Sequence, residues 1–149
     1  TNDMRDASSL KAVESLLARG VSEIRAYDPL AMGEAQWRWF NPEQNHLFER
    51  ITYHETAREA IAGSDALFIS TDWEEFRGLS STIEQTVQPP YLVIDGRRML
   101  PDYRQLVIKG YEYLSVGDVL LSPEQKSDQA THANGEGQLA TAIGKEVDA

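Results

Sequence analysis

Apolar residues recur at helical spacing at Leu10, Val13, Leu16 and Leu17, directly after Ser8 and Ser9, which are good N-cap residues. The spacing predicts a helix that Arg19-Gly20 closes, glycine being a common left-handed stop. The period then shortens. Ile24-Arg25-Ala26-Tyr27 reads as a strand ended by Asp28-Pro29, because proline cannot donate to a strand ladder. Residues 31–40 return to helical spacing, with Trp37 and Phe40 three apart, and Asn41-Pro42 breaks the element. A short strand covers Arg50 to Tyr53. Thr56-Ala57-Arg58-Glu59 is a capping box opening a helix that Gly63 closes. Ala66-Leu67-Phe68-Ile69-Ser70 is a continuous apolar run, the pattern of a strand covered on both faces. Tyr91-Leu92-Val93-Ile94 is another, bounded by Pro89-Pro90 and Asp95-Gly96. A helix over Tyr103 to Ile108, ending at Gly110, and a strand over Tyr111 to Val116 complete the series.

Strands alternating with helices predict an α/β fold, a Rossmann-like three-layer sandwich with a mostly parallel sheet and helices on both faces. The series opens on a capped helix, so the first strand of such a sheet is expected to be missing from the chain. The chain also begins with Thr, as a fragment or processed piece would. From Ser122 onward there are no aromatics and Gly, Gln, Ser, Asn and acids dominate. Residues 1–121 are therefore expected to form the domain and residues 122–149 a flexible tail.

Composition narrows the chemistry. At 149 residues, 41% hydrophobic and 26% charged, the chain has the make-up of one globular domain. Fourteen basic against 24 acidic residues give a formal charge of -10, which repels nucleic-acid backbones and anionic membranes but leaves room for a small phosphorylated ligand held by local cations. There is no Cys, hence no thiolate nucleophile, and the three His residues show no metal-ligand spacing, so no metal site is expected. No apolar run is long enough to cross a bilayer and no signal peptide is visible, so the expected location is the cytoplasm.

Ligands in an open α/β sheet bind beyond the carboxyl ends of the strands. Two of those segments carry cations suited to phosphate: Arg5 in the first, and Arg97-Arg98 after Asp95-Gly96. The bland alternative is that polar residues populate any strand end and that Asp95 caps the next element. Thr71-Asp72-Trp73-Glu74-Glu75-Phe76 reads either as a ligand wall with an acid for proton transfer or, as we favour, as a helix start with Thr71 or Asp72 as cap and Trp73 and Phe76 in the core. Trp37, Trp39 and Phe40 are expected in a core or an interface. His46 and His54 are possible acids or bases with nothing to place them. Neither GxGxxG nor GxxxxGK[ST] occurs, so no dinucleotide loop is present.

Four segments taken together carry a resemblance. Thr1-Asn2-Asp3-Met4-Arg5-Asp6-Ala7-Ser8-Ser9, Tyr27-Asp28-Pro29, Ser64 to Leu67 with Thr71 to Phe76, and Val93-Ile94-Asp95-Gly96-Arg97-Arg98-Met99-Leu100, followed by Gly110-Tyr111 and Ser115-Val116-Gly117, resemble the C-terminal domain of UDP-glucose 6-dehydrogenases in order and spacing. The match covers about residues 1–118. Asp72 stands where the family usually has Glu, and Arg98 where many bacterial members have Asn and others Arg.

The resemblance implies the UDP-binding third of an NAD-dependent enzyme that oxidises the sugar's C6 alcohol to a carboxylate in two steps. It also implies that this chain is inactive alone, because the catalytic Cys and the NAD-binding domain belong to the N-terminal part. A Phe-Lys pair that touches substrate stands in the family just ahead of where this chain starts. Two roles carry over: Arg5 as the residue reaching NAD across the domain interface, and Arg97 as the substrate-binding residue of the "DGR" turn. Catalytic residues are expected to be absent from this chain. The implied partners are a UDP-sugar, the N-terminal and central domains of the same enzyme, and further copies in a homo-oligomer; no nucleic acid and no membrane are expected. The alternatives are a free-standing nucleotide-sugar-binding module and the same domain of a UDP-N-acetyl-hexosamine dehydrogenase.

Overall fold

The computed structural model describes residues 8–123, outside which Arg5 and nearly all of the expected tail lie. Helix α1 (Ser8–Ala18) follows the apolar spacing, with Leu17 buried and Leu10 and Val13 packed beside it, and Gly20 ends it at φ +94°. Strand β1 (Ile24–Ala26) comes next. The helix expected over 31–40 is instead a short α2 (Met32–Glu34) running into a wide π-type turn, Ala35–Trp39. In that turn the Phe40 N–H bonds Ala35 O at 2.8 Å, which puts two residues five apart on one face, both buried. The helical period that grouped Trp37 with Phe40 therefore fails. Phe40 enters the core, Trp39 is half-buried, and Trp37 is 75% exposed rather than in the core.

A 3-10 turn (His46–Arg50) leads into β2 (Ile51–Tyr53), which pairs parallel with β1 in the register Ile24↔Ile51. Helix α3 (Ala57–Ile61) has the expected cap: the Thr56 hydroxyl accepts the Glu59 N–H at 3.2 Å. Strand β3 (Ala66–Ile69) is followed by a 3-10 turn (Glu74–Gly78) and by α4 (Leu79–Thr86). The apolar pattern does not single out α4, since only Leu79 and Ile83 mark it, and two residues four apart are too few to show a period. Strand β4 (Leu92–Asp95), α5 (Tyr103–Ile108) and β5 (Glu112–Ser115) close the series. Strands β3, β4 and β5 are parallel and lie in that order. The outer edge of β5 is covered where the chain returns, Leu121 and Tyr113 exchanging two backbone hydrogen bonds.

Alternation along β1 shows where the helices sit. Ile24 and Ala26 join the core built with Leu17, Phe40, Phe48 and Ile51, on the α1 side. Tyr27 joins the other core, with Ile61, Ile69, Phe76, Ile83 and Leu106, and Arg25 donates to the carbonyls of Ala60 (3.2 Å) and Glu59 (3.0 Å) at the end of α3. Successive side chains of a strand point to opposite faces, so the two cores flank the sheet, as the α/β reading requires. The expectation that β3 is covered on both faces is corrected. Leu67 and Ile69 face the α3–α5 side, whereas Ala66 is exposed and Phe68 is 40% exposed on the other.

Strand β1 is paired with β2 and β3 with β4, but β1 and β3 share no ladder. Their exits are tied by side chains instead: Trp73 Nε1 donates to Asp28 Oδ2 at 3.0 Å, and the Tyr27 hydroxyl donates to the Glu75 carboxylate at 3.1 Å. Among the described residues, the two parallel half-sheets are thus joined at these exits by side chains and not by a ladder.

Burial raises the hydroxyl pKa of Tyr27, Tyr53, Tyr91, Tyr111 and Tyr113, most strongly at Tyr113, whose proton is also held by Asp95. The unfolded chain releases these protons near pH 10 and the folded one later. The stabilisation is therefore complete below about pH 10 and is lost as pH rises beyond it. The urea midpoint is expected to fall between about pH 10 and 11, less steeply in Tyr113→Phe; a flat profile in that window contradicts it.

Candidate functional site

The parallel order sets the exits of β3, β4 and β5 side by side, and β4's exit carries the densest chemistry. Asp95 ends β4 fully buried, at 0% exposure. Its Oδ1 accepts the N–H groups of Arg97 (3.2 Å) and Met99 (2.9 Å), and its Oδ2 accepts the Leu100 N–H and the Tyr113 hydroxyl, each at 2.9 Å. Asp95 is thus the hub of the turn itself and does not cap α5, whose N-cap position is Asp102. Gly96 donates to Ile69 O at 2.9 Å, and a Cβ there would stand 2.9 Å from that oxygen and 3.2 Å from the Phe68 ring. Gly96→Ala is therefore expected to cost about 1–3 kcal/mol of stability by overpacking. Gly33→Ala, which meets open space, is the control in the same thermal melt.

Arg97 and Arg98 leave this turn in different directions. The exposed Arg97 donates through Nε to Ser70 O, at the exit of β3, at 2.9 Å. Among the described residues its two terminal amino groups have no protein partner, so a fork of donors remains for an anion. Arg98 has φ +54°, donates through Nη2 to Val116 O at 2.8 Å, and pairs with Asp118 at 3.3 Å, at the exit of β5. Left-handed backbone is tolerated best by Gly and Asn, so Arg98 holds a step that its residue type disfavours.

In the segment 71–76 the aromatics turn toward the core, as the favoured reading expects. Trp73 occupies the N-cap position of the 3-10 turn, and neither Thr71 nor Asp72 caps it. Phe76 is buried, Trp73 packs on the same core, and Tyr27 meets Phe76 edge-on at 6.1 Å. Asp28 accepts Trp73 with one oxygen and the Leu30 and Ala31 N–H groups with the other, at 2.9 and 2.8 Å. Glu74 pairs in solvent with Arg77. His54 Nε2 meets the Thr52 hydroxyl at 3.1 Å, and His46 stands exposed on its 3-10 turn.

Sequence reasoning pointed to Arg97 and passed over Asp95 as the hub and Asp28 as the tie. The signal for the first was available: an acid ending an apolar strand, directly before Gly and two arginines. The arrangement can bind and orient a di-anionic or phosphorylated ligand. With no glycine-rich loop, the described residues do not by themselves fit a nicotinamide dinucleotide, and Arg5, expected to reach one, lies outside them.

No described helix is long and apolar enough to cross a membrane. Residues 1–102 match the family model described as the UDP-glucose/GDP-mannose dehydrogenase family, UDP binding domain. Similar curated proteins include the UDP-glucose 6-dehydrogenase YwqF of Bacillus subtilis, 34% identical over 83% of this chain and 26% of its own length. Another is a UDP-glucose 6-dehydrogenase of Pseudomonas aeruginosa, 35% identical over 78% of this chain and 25% of its own. The UDP-glucose 6-dehydrogenase AglM of Haloferax volcanii is 31% identical over 72% and 23%. The chain spans about a quarter of the length of the curated relatives it matches.

Proposed function

The chain belongs to the UDP-glucose/GDP-mannose dehydrogenase family as its UDP-binding domain, and from this we propose that it forms the nucleotide side of the substrate site in an NAD-dependent UDP-glucose 6-dehydrogenase. In that reading the whole enzyme converts UDP-glucose to UDP-glucuronate by two oxidations at C6. NAD would be held largely by other parts of the enzyme, with Arg5 the residue of this chain proposed to reach it, and would supply the oxidant. This chain's residues bind and orient. Arg97 offers its terminal amino groups to the UDP portion, Asp95 and Gly96 hold the turn that carries it, and Ser70 O fixes its Nε–H. The name shared by the relatives favours glucose as the sugar.

The single observation that carries this is Arg97, exposed at a strand exit with its guanidinium held on one side and, among the described residues, open on the other. Calorimetric titration of UDP into the 149-residue chain tests it. Weak binding is expected, with Arg97→Ala weakening it about 10–100-fold, the range for charge-assisted hydrogen bonds. Circular dichroism checks that both proteins are folded. Equal affinity in the two folded chains, or none in either, counts against the reading.

A further inference from the structure

The β4 exit turn is tied to both of its neighbours by consecutive residues. Arg97 reaches Ser70 O beyond β3, and Arg98 reaches Val116 O beyond β5. The second tie is part of a closed set. Asp118 Oδ2 forms an ion pair with Arg98 Nη2 at 3.3 Å and accepts the hydroxyl of the buried Ser115 at 2.5 Å, so the β5 exit turn is fastened both to its own strand and to the β4 turn. Arg98 also holds φ +54°, the backbone step that sends its side chain away from Arg97's. The two guanidinium groups therefore differ in what is left to them. Arg98 has a carbonyl and a carboxylate; Arg97 has one carbonyl on Nε.

We propose that Arg98 is a positioning residue for the UDP site: by anchoring the turn to Val116 and Asp118 it fixes the direction of Arg97, and Asp118 works with it as one unit. This rests on the reading that Arg97 contacts the UDP portion. Nothing separates the two arginines in the turn, so a rotation that frees Arg98 also swings Arg97 off Ser70. The pair with Asp118 is exposed and contributes little to stability, which lets the positioning role be separated from folding.

The test uses Arg98→Asn, whose side chain accepts the left-handed backbone, together with Asp118→Ala and the double variant. Each is titrated with UDP beside the parent chain and Arg97→Ala, and each is melted. Arg98→Asn and Asp118→Ala are each expected to weaken UDP binding about 3–10-fold with melting temperatures within a few degrees of the parent. The double variant is expected to be no weaker than the worse single one, because residues acting as a unit are not additive. In the free protein, the NMR signal of the Arg97 Nε–H is expected to exchange faster with water in Arg98→Asn than in the parent, which a role confined to stability does not produce. If Arg98→Asn binds UDP like the parent while Arg97→Ala loses it, the positioning role is overturned and the UDP site stands. If Arg97→Ala binds like the parent, or no folded chain binds, the UDP reading falls and this proposal with it. Should Arg98→Asn fail to fold, Asp118→Ala decides alone by the same two readouts.

Discussion

Asp95→Ala is expected to unfold the domain or bring it to the edge of unfolding. The carboxylate is fully buried and serves three backbone N–H groups and the Tyr113 hydroxyl. Removing it leaves all of these without an acceptor in a place that the surrounding core keeps from water. A buried donor left unmade costs about 1–3 kcal/mol, so the sum is on the order of 5 kcal/mol or more, against a total stability of about 5–15 kcal/mol for a domain. Asp95→Asn is a milder change. Its oxygen still serves one side, the Tyr113 hydroxyl can turn to accept, and the Leu100 N–H is left facing an amide NH2; about 2 kcal/mol is expected. Urea unfolding followed by circular dichroism ranks the parent, Asn and Ala proteins. A loss below about 1 kcal/mol in Asp95→Ala would falsify the hub role, since even one orphaned donor exceeds it.

The second large effect concerns the position between β1 and β3. Fusing ahead of Thr1 the residues that precede the matching stretch in the Bacillus subtilis relative is expected to raise the melting temperature by about 10 °C. A strand inserted there pairs with β1 on one side and β3 on the other, so ladder hydrogen bonds form along both edges, each worth about 0.5–1.5 kcal/mol net. Ordering the added backbone offsets part of this, and roughly 3–5 kcal/mol remains. It also covers two edges that are unpaired among the described residues, and open edges are sites for association between chains. The informative control is the same fusion with Pro in the middle of the added strand, since proline lacks the N–H and cannot join a central ladder. Equal melting temperatures for the fusion and the parent would show that the position is closed in solution. Equal temperatures for the fusion and its Pro variant would show that any gain comes from elsewhere than pairing.

How much of this was legible in advance varies by element. Helix α1, β1, β2, α3, β4, α5 and β5 lie where periodicity and stop residues place them, because each signal is local: a cap such as Thr56, a glycine such as Gly20, Gly63 or Gly110 that takes the left-handed conformation, an apolar run between breakers. Residues 35–40 misled because the turn widens to bring Ala35 and Phe40 together, a choice made by the core around Leu17 and Phe48 and not by the turn's own residues. Strand β3 misled for a different reason. An apolar run reports what a strand can bury, and Phe68 stays 40% exposed here.

The site divides the same way. Sequence by itself determined the parallel α/β class and pointed to the strand exits as the place for chemistry, with Arg97 singled out there by the resemblance, since these follow from short-range patterns, the order of motifs and the fixed polarity of parallel strands. Only the tertiary structure decided that Asp95 holds the turn through Tyr113 of the next strand, that Asp28 reaches Trp73 between half-sheets that share no ladder, and that Arg97 and Arg98 part toward opposite neighbours. Those partners stand 18, 45, 27 and 18 residues apart in the chain. At such separations no local pattern records them. They form because strand pairing has already brought the exits together and burial has left each polar group only the acceptors within reach.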